Sequence, residues 1–251
     1  MCGRFSGITE AQAARLAGDL SAWAAGPGAA AGGAPTRPDP AYDWPLQAPF
    51  AVPGTAAWII VPAAGDTATA GGNTGKPAFA PAHLTWGFSV SWHTGPLFNT
   101  RLESAVRATR TATSLWRGAL ERGRCLVPVR AFFEPHATER IRSPKTKKPI
   151  KRSYRFTAAD GAPVLLLAGV SAAGRFSVVT VPPNAQVAPV HDRMPLVLSA
   201  TEAITWLSAD GAAPILAQAA DLADRSGTVL AAAPETDDPL LTGDNGQLSL
   251  F

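Results

Sequence analysis

Between residues 124 and 181 the chain breaks into short apolar runs, RCLVPV, AFFE, RSYRFT, VLLLAGV and RFSVVTV, bounded by Gly, Pro or Asp. Short runs rich in β-branched and aromatic side chains, punctuated in this way, read as strands of an antiparallel meander. Such strands must bury a face against a second layer, and no repeat at a period of about 20 to 50 residues argues for a solenoid or propeller. A curved, mainly antiparallel sheet is the expected centre of the fold.

Helices are expected around it. Thr9 and Gln12 stand at capping-box spacing, and Ala, Leu and Trp recur at helical intervals up to about Ala25. Further helices are predicted over 114–121, 201–207 and 212–219, and further strands over 2–6, 57–61, 79–88 and 228–232. Glycine and proline, 23 of each, are densest in two breaks at about 26–40 and 63–78, which read as insertions between elements. After Pro234 the composition turns acidic and small (ETDDPLLTGDNG), as for a flexible tail over 234–251. The fold class is therefore α+β, one domain over 1–233 plus that tail.

The net charge is +3, but residues 140–155 (RIRSPKTKKPIKRSYR) hold eight basic and no acidic side chains, leaving the rest at 3 − 8 = −5. A polyanion would thus meet one face of the protein; the plain alternative is a solvated hairpin tip. No run approaches the roughly 18 uninterrupted apolar residues of a spanning helix, and MCGRFSGITE lacks the basic-then-apolar layout of a secretory signal. A cytoplasmic protein, with no membrane partner and most simply a monomer, is expected. Cys2 and Cys125 have no close Cys or His partner, and His83, His93 and His136 are scattered, so neither a disulfide framework, a metal nor a cofactor is expected.

Cys2 carries the most distinctive chemistry. An initiator methionine is commonly removed when the next residue is this small. The exposed Cys2 would then bear an α-amine with a reference pKa of about 7.7–8.0 beside a thiol near about 8.5. An aldehyde forms an imine with such an amine and is then captured by the sulfur, closing a thiazolidine ring. Gly3 allows close approach of a substrate, and Arg4 offers a forked cation suited to phosphate. Standing alone, Cys2 reads more simply as a small buried hydrophobe of no chemical consequence.

Three more segments embed polar groups in apolar surroundings: FNTRLES from Phe98, AFFE ending at Glu134, and PVHDRMPLVL from Pro189. With MCGRF at the start and RCLVP before AFFE, they resemble, in this order, the SRAP family, named for SOS-response-associated peptidases, whose members protect abasic sites in single-stranded DNA. The resemblance spans residues 1 to about 232. It implies a single SRAP-like domain with a barrel-like curved sheet and flanking helices, acting as a covalent sensor of abasic sites through a thiazolidine at Cys2.

The resemblance further implies that Asn99 holds the chain terminus and sugar hydroxyls, that Glu134 shuttles protons, and that His191 assists as a second acid or base. Arg4, Arg101 and Arg193 would grip flanking phosphates, and Trp86 would stack on bases. Each has a plainer reading. Asn99 suits a turn cap, Glu134 a strand-end ion pair, His191 a loop hydrogen bond, and Trp86 a core position. Three positions depart from the family pattern: Pro135 stands where a tryptophan is usual, Ala131 where glycine is usual, and Phe50 where asparagine is usual. They bear on the DNA groove more than on the nucleophile. Two other functions remain open, a thiol peptidase acting through Cys2 and a noncovalent single-strand binder.

The chain ends in Gln247, Leu248, Ser249, Leu250 and Phe251. This pentapeptide resembles those that dock bacterial proteins onto the replication sliding clamp: a Gln for a small polar subsite and a Leu-Phe pair for an apolar pocket. An inert or back-packing tail is the alternative.

Overall fold

The structure, a computed structural model, describes residues 2–26, 49–63, 78–109, 114–143, 145–208 and 219–235. Both insertions are almost wholly, and the C-terminal pentapeptide wholly, outside the described residues, as is most of the helix expected over 212–219.

Five strands close into a barrel: β3 (Ala56–Pro62), β4 (Phe79–Trp86), β6 (Arg124–Val129), β9 (Leu165–Ala172) and β10 (Arg175–Val181). Each pairs with its neighbours in the order β10-β4-β3-β6-β9, and β9 returns to β10 to complete the ring. Closure removes the free edges that a sheet of such apolar strands would expose. The pairings are antiparallel except where β10 meets β4 and the short β5 (Asn99–Arg101) in parallel. Two short strands, β11 (Met194–Pro195) and β12 (Val197–Leu198), extend β10 and β9.

A second, open sheet runs β13-β8-β7-β1-β2, where β1 is Arg4–Ser6, β2 Phe50–Ala51, β7 Ala131–Arg142, β8 Pro149–Ala158 and β13 Leu230–Pro234. Its apolar face shares one core with the barrel: Phe5, Phe132 and Phe156 lie in the same cluster as Trp86, Leu126, Val178 and Phe176. Phe132 stacks on Phe156 with ring centroids 4.9 Å apart, and Phe5 tilts against Trp86 at 4.6 Å.

The helix expected from Thr9 is α1, Glu10–Ala24, with both arms of its capping box formed. Leu16, Ala17 and Leu20 bury its apolar stripe. The helix expected at 114–121 is α3, Leu115–Arg122, capped by Ser114, and the one at 201–207 is α4, Ala200–Ser208. Two more, α2 (Leu102–Ala108) and α5 (Ala219–Ala223), are short. Arg124, the first residue of RCLVP, is buried, and its guanidinium donates to the Leu120 carbonyl and, at 2.6 Å, to Trp206 O. It satisfies carbonyls at the ends of α3 and α4, where a cation is favoured.

The sequence suggested that β7 would end near Glu134, before Pro135. It runs twelve residues, to Arg142, with its register to β8 shifting between Pro135 and Arg140. Proline cannot donate to the ladder, and a bulge absorbs it. The His136 ring supplies the missing acceptor there, taking hydrogen bonds from the backbone N–H groups of Thr138 (3.2 Å) and Glu139 (3.0 Å).

Candidate active site

Cys2 enters the molecule just ahead of β1, whose register on β7 sets Arg4 opposite Phe133 and Phe5 opposite Phe132. That antiparallel ladder brings the start of the chain alongside Glu134. Cys2 is fully buried, and its thiol donates to its neighbour's backbone, Arg4 O, at 3.4 Å. Burial, and next the negative charge of Glu134, push the thiol well above its ordinary range. A thiol held this way is neutral at physiological pH and needs a nearby base before it can attack.

Glu134 is close enough for its charge to act on that thiol. The AFFE strand is buried on both faces, and the carboxyl lies in it with no exposed surface. Burial raises its pKa from 4.5 to about 7, against the opposing positive charge of the amino terminus, with Asp192 raising it further. A carboxyl poised near neutrality can both take and return a proton.

Asn99 arrives from the other side of the site. β5 lies parallel to β10, with Asn99 beside Val178. Its side-chain amide donates to Cys2 O at 2.9 Å. Its carbonyl Oδ1 is buried with no hydrogen-bond partner among the described residues. One half of the amide thus holds the Cys2 backbone, and the other is an acceptor with no hydrogen-bond partner among the described residues.

His191 sits in the loop packed on β7 just past Glu134, where Ala137 N donates to Val190 O at 2.9 Å. Burial first, then the charge of the amino terminus, lower its pKa. The neutral ring accepts from Arg193 N–H at Nδ1 (3.1 Å), and protonation would turn the same nitrogen toward Asp192 Oδ1, 2.9 Å away. Cys2, Asn99, Glu134 and the His191 loop therefore converge on one place from four separate segments.

The basic and aromatic residues divide differently from what the sequence suggested. Arg4 is a surface cation at the site: its guanidinium lies 4.2 Å from the Phe133 ring and 5.6 Å from that of Phe50, and binds Ser153 Oγ and Glu235. Phe50 thus acts as a second wall for Arg4. Arg101 is exposed, at the N-cap position of α2. Arg193 is not at the surface. It is 8% exposed, paired with Glu103 at 2.8 Å and donating to Thr180 O, so it braces α2 against β10 and is not presented to a phosphate. Trp86 is likewise a core residue, wholly buried and donating to Phe98 O at 2.8 Å, where no base can reach it.

Among the described residues the exposed aromatic is Trp92, at 68% exposure on the loop between β4 and β5 that leads into Asn99. Phe88 and Leu97 bridge at the base of this loop, where Gly87, at φ +108, packs against Pro96 so closely that a Cβ would lie 2.5 Å from the proline's. Only glycine fits there. The sequence signal for Trp92 was its setting, SWHTG, polar and turn-rich where LTWGF around Trp86 is apolar. Among the described residues no three His, Cys, Asp or Glu side chains cluster as metal ligands, and no helix is long and apolar enough to cross a membrane.

The sequence model of the family described as SOS response associated peptidase (SRAP) matches residues 1–233. The chain belongs to the SRAP family. Its solved relatives include a phage-related protein of Bordetella bronchiseptica, 20% identical over 93% of this chain and 94% of that one, with a TM-score of 0.58. A protein of Bacteroides thetaiotaomicron is 17% identical over 73% of this chain and 75% of its own, with a TM-score of 0.48. No curated protein matches. At such identities the Bordetella structure bears on the fold alone, and it agrees with a mixed α and β SRAP domain. SRAP membership ties this chain to the response to DNA damage.

Proposed function

We propose that this SRAP protein, once Met1 is removed, traps abasic sites in single-stranded DNA as a thiazolidine on Cys2. The observation that carries the reading is the joint hold on Cys2: Asn99 donates to its carbonyl at 2.9 Å, and the buried Glu134, with a pKa raised to about 7, is near enough for its charge to act on the thiol. The Cys2 amine adds to the ring-opened aldehyde to give a carbinolamine. Protonated by Glu134, this loses one water to form an iminium. The buried thiol then gives its proton to the Glu134 carboxylate as sulfur bonds to the iminium carbon. Aldehyde and cysteine combine with net loss of one water, and Glu134 ends as it began. His191, kept neutral by burial, assists as a second proton acceptor at the rim.

Arg4, half-buried at the site, and the exposed Arg101 supply the cations for flanking phosphates, and Trp92 replaces Trp86 as the platform on which a base stacks. The C-terminal Gln247–Phe251 segment would tether the protein to the replication sliding clamp, raising its concentration where single-stranded gaps arise. A thiol peptidase is less well supported. Such enzymes need a thiolate stabilised by a neighbouring cation, whereas burial and Glu134 hold this thiol protonated.

The test is incubation of processed protein with abasic and intact oligonucleotides, followed by denaturing electrophoresis. A heat-stable adduct should form with abasic DNA alone and vanish in Cys2→Ala; an adduct that persists in that variant rejects the reading.

A further inference from the structure

Six cations in the β7–β8 hairpin have no role in the chemistry above. Arg140, Arg142, Lys145, Lys147, Lys148 and Lys151 are all exposed, and among the described residues none makes an ion pair. Glu139, on the outer half of β7, is already occupied by Arg152 (2.7 Å) and the Tyr154 hydroxyl (2.8 Å).

Their arrangement is unfavourable for the isolated protein. Arg140 stands directly opposite Lys151 in the register, on the same face of a two-stranded ribbon, where like charges repel. Ile141 and Ile150 pair on the other face and hold the register. At the tip Lys147 adopts φ 57, a left-handed conformation that glycine would take with less strain, to close a turn in which its N–H donates to Ser143 O. A sequence that sets lysine where glycine suits the backbone, and arginine against lysine across the ladder, gives up stability for charge. A polyanion would recover it.

The ribbon is also continuous with the reactive site. β7 carries Glu134 near its start and Arg142 at its end, eight residues on, which is a reach of up to about 26 Å at roughly 3.3 Å per residue. That equals about seven or eight phosphate spacings of a stacked strand. β8 carries Ser153, which contacts Arg4, and the charge of Lys151 is felt at His191. Outside residues 140–155 the chain sums to 3 − 8 = −5, so the field of the hairpin has a direction.

We propose that this hairpin is a second nucleic-acid contact, which takes the phosphodiester backbone of the strand flanking the residue held at Cys2. It rests on the reading of the site as a DNA site, but not on covalent capture. The hairpin sets how much flanking strand a substrate must have, and orients that strand before reaction.

The experiment measures noncovalent binding of lesion-free fluorescent oligonucleotides of about 8 and 25 nucleotides, by anisotropy across a salt series, using the full chain with Cys2→Ser. A companion carries R140Q, R142Q, K145Q, K147Q, K148Q and K151Q in addition. For the longer strand the companion should bind roughly 10- to 100-fold more weakly at low salt. Its salt slope should fall by about 2 to 4, since each phosphate contact on a single strand contributes about 0.7. For the shorter strand the two proteins should differ much less. Equal affinities and slopes on the longer strand overturn the proposal, as does wild-type protein that binds phosphatidylserine vesicles in preference to the 25-mer. Because the substitutions relieve repulsion, the thermal midpoint should hold or rise; if it falls, K145E with K148E at the exposed tip gives the same readout on an intact ribbon. Adduct formation by unmutated protein is scored separately, so loss of the crosslink reading leaves the slope result standing, and the reverse.

Discussion

Glu235 closes an ion pair on Arg4, 231 positions away in sequence. The contact follows from β13, which pairs along β8 and delivers Glu235 N–H to Ser153 O at 2.8 Å, beside the arginine. The carboxylate takes the Nη2 of Arg4, a donor that a phosphate oxygen would also use. In the DNA reading proposed above, Glu235 therefore competes with a phosphate for Arg4.

Glu235→Gln should therefore speed adduct formation on abasic oligonucleotide at subsaturating DNA, by roughly 3- to 10-fold, with the gain shrinking as salt rises. Initial rates at low and high ionic strength check this. Unchanged rates would mean that Arg4 is not a phosphate ligand or that Glu235 yields it without cost.

Glu134 links chemistry to stability. Its folded-state pKa, about 7, exceeds the unfolded reference of 4.5, so the folded protein binds the extra proton. The associated stability is complete below pH 4.5 and is lost as pH rises through 7, by about 3 kcal/mol once both states are ionised. Glu134→Gln should then unfold at a higher temperature than wild type at pH 8, by roughly 5–10 °C, with little difference at pH 4.5. The same variant should slow adduct formation by about 100-fold or more. A wild-type reaction rate rejects the proton-transfer role; a midpoint difference independent of pH rejects the elevated pKa.

The contrast between Trp86 and Trp92 is separable in one pair of variants. Trp92→Ala should weaken single-strand binding by roughly 1–3 kcal/mol and leave the thermal midpoint in place, because an exposed ring packs against little. Trp86→Ala should cost about 3–5 kcal/mol of stability, since it empties a space between Phe5, Phe98 and Phe176. Anisotropy and thermal unfolding give the two readouts. Binding lost only in the Trp86 variant would reverse the assignment.

Those two tryptophans also mark where sequence reading stops. Cys2 stood out in sequence for an amine beside a thiol, Asn99 and Glu134 only through the order of their segments in the family pattern, and the capping box at Thr9 because its partners are three residues apart. Burial is not local. Arg193 resembles Arg4 as a residue type, and only the fold brings Glu103 to it from 90 positions away. The length of β7 was obscured in a similar way. Pro135 is a sound reason to end a strand, and it takes the bulge and the His136 acceptor to carry the strand past it. The contact of Glu235 with Arg4 had no sequence signal, since neither residue lies in a motif shared with the other.

Asn99 supports the sharpest test of positioning. Its amide donates to the Cys2 carbonyl and leaves Oδ1 buried and unused, so the side chain must offer a donor and an acceptor at once. Asn99→Ala removes both, and the loosened terminus should react about 10- to 100-fold more slowly. Asn99→Asp keeps the shape and the acceptor but sets a carboxylate against the Cys2 carbonyl oxygen, and adds negative charge near Glu134. It should be slower than the alanine variant, and its rate should recover as pH falls and the aspartate becomes protonated. Single-turnover adduct formation between pH 5 and 8 measures both. An aspartate variant faster than alanine across that range would show that the amide's donor side is dispensable, and that Cys2 is held by the β1 ladder alone.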